Sequence, residues 1–362
     1  MMSCTTELLD VHGGIDPAEL AEYGLRPNEI LDFSANVNPF GPPPGVRDAI
    51  ARTMIDRYPD RSCGELRAKL ARRHGVATDS ILVGNGASEL IWLSAVAWLR
   101  QDDPVLIIGP TFGGYERAAR VANARVHLVM ASTSEGFRPP WEAFCQFLAT
   151  KRPRLAYLAT PNNPTGQTVE ARAIARLAKS HSHVGFVLDE AYVDLLADDV
   201  GDGDSMPDNV IRLRSLTKSH ALAGLRLGYA IANPETIRNL ATVQPPWSVN
   251  GPAQAAGLAA LSDSGHVRKS VACWRRESAE LVTRLRDNEY SPMPSAMPFF
   301  LLPVADAATA RQRLLQRRLL VRDCTSFGLP GYIRICGRTH EENGRLLDAL
   351  IDLRSEVLPC RT

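Results

Sequence analysis

The chain has 362 residues, enough to bury a large core and to form one large and one small domain. Its 41 Lys and Arg against 40 Asp and Glu leave it almost neutral, which argues against nucleic acid or a membrane surface as the main partner. Seven scattered cysteines without CxxC spacing indicate neither a zinc site nor a disulfide framework, so no metal is expected and a reducing compartment fits.

The N-terminus shows no basic segment followed by an apolar core. No apolar run approaches the ~20 residues that span a bilayer, so an unexported, cytoplasmic protein is expected. Residues 1–40 hold His12-Gly13-Gly14 and then Asp32-Phe33-Ser34-Ala35-Asn36-Val37-Asn38-Pro39. Dense Gly, Pro and Asn make this an extended arm rather than a helix, able to line a pocket with polar side chains. Residues 44–56 and 64–74 have helical spacing, with Arg57-Tyr58-Pro59-Asp60 between them. Ile81 to Val83 is a short apolar strand that runs through Gly84-Asn85-Gly86-Ala87-Ser88-Glu89 into an apolar helix. Gly86, Ala87 and Ser88 would thus set backbone amides and a hydroxyl at a helix N-terminus, where a phosphate is favoured. Pro104 to Gly109 is another apolar strand, followed by Pro110-Thr111-Phe112-Gly113-Gly114-Tyr115, and an aromatic there could stack on a flat cofactor or fill the core.

Leu155 to Ala159 reads as a buried strand ending in Pro161-Asn162-Asn163-Pro164-Thr165-Gly166, a turn whose Pro, Asn and Gly fix the backbone. Val184 to Leu188 leads into Asp189-Glu190-Ala191-Tyr192. A carboxylate at the end of so apolar a run needs a partner, and a protonated ring nitrogen is a good one. Ala197 to Asp208 is an acidic loop with no assignable chemistry. Val210 to Arg214 alternates apolar and basic residues as a strand does, and Tyr229 to Ala232 is a second apolar run. The turn between them carries Ser215-Leu216-Thr217-Lys218 and Gly224-Leu225-Arg226, one lysine among hydroxyls and a fixed cation. Such a lysine can form a Schiff base with a carbonyl cofactor while Ser215, Thr217 and Arg226 hold its phosphate. Helical spacing then runs from 251 to about 287. Met297 to Leu302, Leu319 to Arg322 and Tyr332 to Cys336 read as strands of a smaller C-terminal unit that carries Arg322 and Arg334. Apolar strands alternating with amphipathic helices predict an α/β fold whose mainly parallel sheet is covered on both faces. Its ligand belongs outside the carboxyl ends of the strands, where Asp189 and Lys218 fall.

In this order the motifs Gly84 to Glu89, Pro161 to Gly166, Asp189 to Tyr192, Ser215 to Lys218 and Gly224 to Arg226 are specific. The chain resembles the fold-type I pyridoxal-phosphate enzymes of the class I/II aminotransferase superfamily. The resemblance implies a seven-stranded-type sheet in a large domain over 41–250. A linker helix and small α+β domain would cover 251–362, and an N-terminal arm over 1–40 would pack on the small domain. It implies that Lys218 carries the Schiff base, that Asp189 holds the pyridine nitrogen protonated, and that Asn163 and Tyr192 bond the ring hydroxyl oxygen. Phe112 would stack on the ring, and Gly86, Ala87, Ser88, Ser215, Thr217 and Arg226 would surround the phosphate. Tyr58 would reach the phosphate of a second subunit, so a homodimer with shared active sites follows. Arg334 would clamp the substrate carboxylate.

Within the superfamily the chain is most similar to histidinol-phosphate aminotransferases and threonine-phosphate decarboxylases of cobalamin synthesis. The His12 to Gly14, Asp32 to Pro39, Pro246 to Asn250 and Val321 to Leu329 segments lean toward the decarboxylase. They make His12, Gly14, Asn36 and Arg322 candidate substrate contacts. Ile15 and Pro298 depart from the residues usual in those relatives and could touch the substrate pocket. The expected reaction is decarboxylation of L-threonine O-3-phosphate, with aminotransfer of the histidinol-phosphate type as the alternative. A cofactor-sensing transcription regulator is disfavoured, since no basic helix-turn-helix precedes the cofactor pattern.

Overall fold

The computed structural model of the chain describes residues 13–196 and 206–358, so the acidic loop lies mostly outside the described residues. Its strands are β1 Leu31–Asp32, β2 Ile81–Asn85, β3 Pro104–Gly109, β4 Arg125–Met130, β5 Leu155–Ala159 and β6 Gly185–Asp189. They continue as β7 Val210–Ser215, β8 Leu227–Ile231, β9 Phe299–Pro303, β10 Leu319–Leu320, β11 Arg322–Asp323 and β12 Tyr332–Cys336. One seven-stranded sheet runs β2-β8-β7-β6-β5-β3-β4. β8 is antiparallel to both neighbours and the other pairs are parallel. Parallel strands need helices on both faces, and the inner ones accordingly bury nearly every side chain.

β7 is the strand its alternation predicts, and it buries its basic residues with its apolar ones. Arg212 and Arg214 are both buried there, because Glu190 Oε2 accepts from their Nε atoms at 3.0 and 2.6 Å. A shared carboxylate lets two guanidinium groups enter the interior that neither could enter unpaired.

The arm departs from its reading as wholly extended: Pro17–Glu22 is a short helix. Asp16 caps it, accepting from Ala18 N at 2.9 Å, and Pro17 suits the first helical position. Leu20 then buries with Ile30, Leu315 and Leu320, with Ile15 packed against them. Further on, β1 pairs in parallel with β10, Leu31 opposite Leu319, and Phe33 enters the core formed by Phe300, Ile333 and Leu346. The arm thus joins the C-terminal unit, whose β11, β12 and β9 form an antiparallel sheet. The single helical stretch read from 251 breaks at Asp263, which ends the helix Gly251–Ser262 and caps the helix Ser264–Asp287 by accepting from His266 N at 3.0 Å.

Candidate active site

A cavity of about 410 Å³ opens at the carboxyl ends of β5, β6 and β7, closed from above by the arm and by β11 and β12. Asp189, the last residue of β6, points into it and is buried. Its Oδ1 accepts from Ala191 N at 2.9 Å and its Oδ2 from Tyr115 Oη at 2.7 Å. Burial raises its pKa above the ordinary carboxylate value, against those two hydrogen bonds and the charge of Lys218. Lys218 follows β7 and lines the same cavity, its Nζ 5.9 Å from the Tyr192 ring centroid.

One end of the cavity is built for an anion. Ala87 and Ser88 stand in the first turn of the helix Gly86–Trp98, a 13-residue helix whose N-terminal amides face the wall. Ser215 Oγ and Thr217 Oγ1 lie 2.6 Å apart beside them, and Arg226 completes that side. Gly86, at φ +77, leaves the guanidinium its space, since a Cβ there would stand 2.6 Å from Arg226 Nη2.

The opposite wall is cationic. Arg322 and Arg334 are paired across β11 and β12, and both are buried. Burial pushes Arg322 down to about 10, with Arg334 repelling it further. Its Nη2 donates to Ser326 Oγ at 2.6 Å, and its guanidinium lies 5.2 Å from the Phe327 ring centroid. Arg334 donates to Asn163 Oδ1 and to the Ser34 carbonyl, which ties the small unit to the large sheet and to the arm. Its buried Nε has no hydrogen-bond partner, and neither has Asn36 Oδ1, while Asn36 Nδ2 donates to Tyr192 Oη at 3.1 Å.

Asn36, Ala87, Ser88, Phe112, Asn163, Asp189, Tyr192, Ser215, Thr217, Lys218, Arg226, Arg322 and Arg334 therefore converge on one wall-lined space. Gly14, Ile15 and Pro298 are not part of this lining. Gly14 is set back, its N donating to Ser34 Oγ at 2.7 Å, and Gly13 lines the cavity instead. Ile15 and Pro298 do not reach the wall, Ile15 being drawn into the arm's own apolar cluster and Pro298 buried beside β9. Tyr58 is 81 % exposed and stacks on Trp247 at 4.6 Å between ring centroids, outside the cavity lining. His12 lies outside the described residues. Sequence reasoning missed Tyr115, Ser34 and Phe327. For Tyr115 a signal existed, a second aromatic three residues beyond Phe112 in the same segment after β3, and the two rings meet edge-on at 5.6 Å.

These residues fit pyridoxal phosphate by their chemistry. The buried Asp189 carboxylate suits a cationic ring nitrogen, the Ser88, Ser215, Thr217 and Arg226 corner suits a phosphate, and Lys218 lines the same cavity.

Comparison with known proteins points the same way. The sequence model of the family "Aminotransferase class I and II" matches residues 28–350. A histidinol-phosphate aminotransferase of Symbiobacterium thermophilum is 34% identical over 92% of this chain and 93% of its own length. The threonine-phosphate decarboxylase of Salmonella typhimurium is also 34% identical, over 96% of this chain and 98% of its own. The crystal structure of L-threonine-O-3-phosphate decarboxylase from Porphyromonas gingivalis superposes with a TM-score of 0.80 at 28% identity, covering 89% of this chain and 99% of that one. With its whole-length match, its seven-stranded sheet and its cavity, the chain belongs to the class I and II aminotransferase family of fold-type I pyridoxal-phosphate enzymes.

Proposed function

We propose that the chain is a decarboxylase of L-threonine O-3-phosphate that works as a homodimer. The observation that carries this reading is the pair of buried cations, Arg322 and Arg334, side by side on the wall facing Lys218. Two desolvated guanidinium groups in one cavity call for two anionic groups on one small substrate, a carboxylate and a phosphate. The Salmonella typhimurium relative bearing that activity in its name supports the choice.

Bound pyridoxal phosphate supplies an electron sink for the pair released when a bond to the substrate α-carbon breaks. Asp189 would hold the ring nitrogen's proton, and Phe112 would cover a ring face. Asn163 and Tyr192 would bond the ring's hydroxyl oxygen. Lys218 would tether the cofactor at rest and deliver to the α-carbon the proton that replaces the lost carboxylate. Arg334 would turn that carboxylate perpendicular to the ring, the orientation in which its bond breaks, and Arg322 would hold the phosphate. Asn36, which lines the cavity and whose buried Oδ1 has no hydrogen-bond partner, would contact the substrate.

Aminotransfer of the histidinol-phosphate type is the second reading, supported by the equally similar Symbiobacterium thermophilum relative. Histidinol phosphate has no carboxylate to lose, so the two substrates separate the readings. The expected result is carbon dioxide from L-threonine O-3-phosphate without any 2-oxo acid, and little amino transfer from histidinol phosphate to 2-oxoglutarate. Conversion of 2-oxoglutarate to glutamate, with the donor keeping its carbon, would establish the aminotransferase instead.

A further inference from the structure

The Asp189 carboxylate stands buried at the end of β6. Two donors reach it: the Ala191 amide, fixed by the chain itself, and the hydroxyl of Tyr115, a residue 74 positions away. We propose that Tyr115 is a positioning residue for the reaction, its hydroxyl fixing the rotamer of Asp189 and keeping that carboxylate ionised toward the cofactor ring. The inference rests on Asp189 being the partner of the ring nitrogen.

Three observations support it. Tyr115 is 2 % exposed and clamped between rings, stacked on Tyr157 at 5.2 Å and edge-on to Phe112 at 5.6 Å, so its hydroxyl cannot swing away. It can only donate at neutral pH, because burial and the adjoining carboxylate raise its own pKa well above the ordinary phenol value. Among the groups that act on Asp189, burial and Glu190 favour the protonated form, and Tyr115, Ala191 N and Lys218 oppose them. Tyr115 is the first of those opposing influences. A hydrogen bond to a charged acceptor in a dry site is worth more than a neutral one, so its loss should be large.

Tyr115→Phe removes the hydroxyl and keeps both ring contacts, so the fold is retained. The measurement is the carboxyl titration of Asp189 by carbon-13 NMR on the full-length chain freed of cofactor, the resonance being assigned with Asp189→Asn. Its midpoint should rise by about one pH unit or more in Tyr115→Phe. It should stay in place in Tyr157→Phe, whose lost hydroxyl bonds Ser94 at 3.1 Å and not Asp189. An unchanged midpoint in Tyr115→Phe overturns the proposal, as does an equal rise in Tyr157→Phe, which would trace the effect to ring packing. Because the titration needs neither cofactor nor substrate, its outcome is separate from whether the enzyme decarboxylates or transaminates. In the holoenzyme, Tyr115→Phe should release cofactor on dialysis about tenfold more readily, and retention equal to that of the unsubstituted enzyme counts against the positioning role.

Discussion

Lys218 sits on a backbone held from several directions. Asn38 N donates to Lys218 O at 3.1 Å, while Asn38 Nδ2 reaches Ser219 O at 2.9 Å and Ser270 Oγ at 2.8 Å. Arm, lysine turn and linker helix are thus fastened at one residue, which fixes the backbone from which the amine extends. Borohydride treatment of the holoenzyme should fix pyridoxyl on Lys218, and Lys218→Ala should bind cofactor through its phosphate yet lose turnover by orders of magnitude. Label on Lys69, Lys151 or Lys179 would sink that assignment. Beneath the lysine, Ser219 Oγ donates to Asp194 Oδ2 at 3.0 Å and lies 2.9 Å from His220 Nδ1. Burial pushes His220 from 6.5 down to about 4, with Arg73 and His266 acting in the same direction and Asp194 against them. Between those values the unfolded chain binds a proton that the folded one refuses, so stability falls as pH drops through that window. Thermal melts should show Tm declining from pH 6.5 to 4, and His220→Gln should flatten the decline. An unaltered slope in the variant would assign the loss to other groups.

The anion corner depends on how closely β8 passes under the helix Gly86–Trp98. Gly228 lies opposite Gly84 in the β2–β8 ladder, and a Cβ on it would stand 2.5 Å from Ala87 N and 2.8 Å from Gly86 C. Both are rigid backbone atoms, so a methyl group there must push the helix N-terminus off the strand. Gly228→Ala should therefore cost about 1–3 kcal/mol in stability and weaken cofactor retention by moving the amides that face the phosphate. Unchanged Tm and retention would show the contact to be slack. The cofactor side of the site was legible because each part is local. Gly86 to Ser88 open a helix, Asp189 ends a strand, and Lys218 sits in the turn after another, so each motif carries its own placement. What sequence could not convey is long-range: Asn36 meets Tyr192 across 156 residues and Arg334 meets Ser34 across 300. Periodicity encodes which face of an element is buried, not what it is buried against. The helix Pro17–Glu22 was missed for a different reason, since its Asp16-Pro17 start was outweighed by the surrounding glycines and prolines.

At the scale of the whole molecule, the site as one subunit builds it leaves Tyr58 unused. Met54, Ile55 and Tyr58 are 59 %, 88 % and 81 % exposed, and Tyr58 lies flat on the half-exposed Trp247. Large apolar side chains gathered in this way mark a surface that another protein covers. A second copy of the chain is the occupant we propose, with Tyr58 as its contribution: the hydroxyl does not line its own cavity, so a role at a phosphate requires the neighbour's. Sedimentation should show a dimer. Tyr58→Phe should keep the stack on Trp247 and the assembly, while weakening cofactor retention by about 1 kcal/mol, the net worth of one hydrogen bond. Equal retention would remove Tyr58 from the phosphate site and leave it a packing residue, and a stable, fully active monomer would refute the shared site altogether. Mixed dimers sharpen the test. When Lys218→Ala and Tyr58→Phe chains are combined, one cavity keeps its own Lys218 and receives the unaltered tyrosine from its partner, whereas the other lacks both. Half of the unaltered activity, with cofactor retained firmly in the lysine-bearing cavity alone, is the expected outcome. Weak retention there would mean that Tyr58 serves its own subunit.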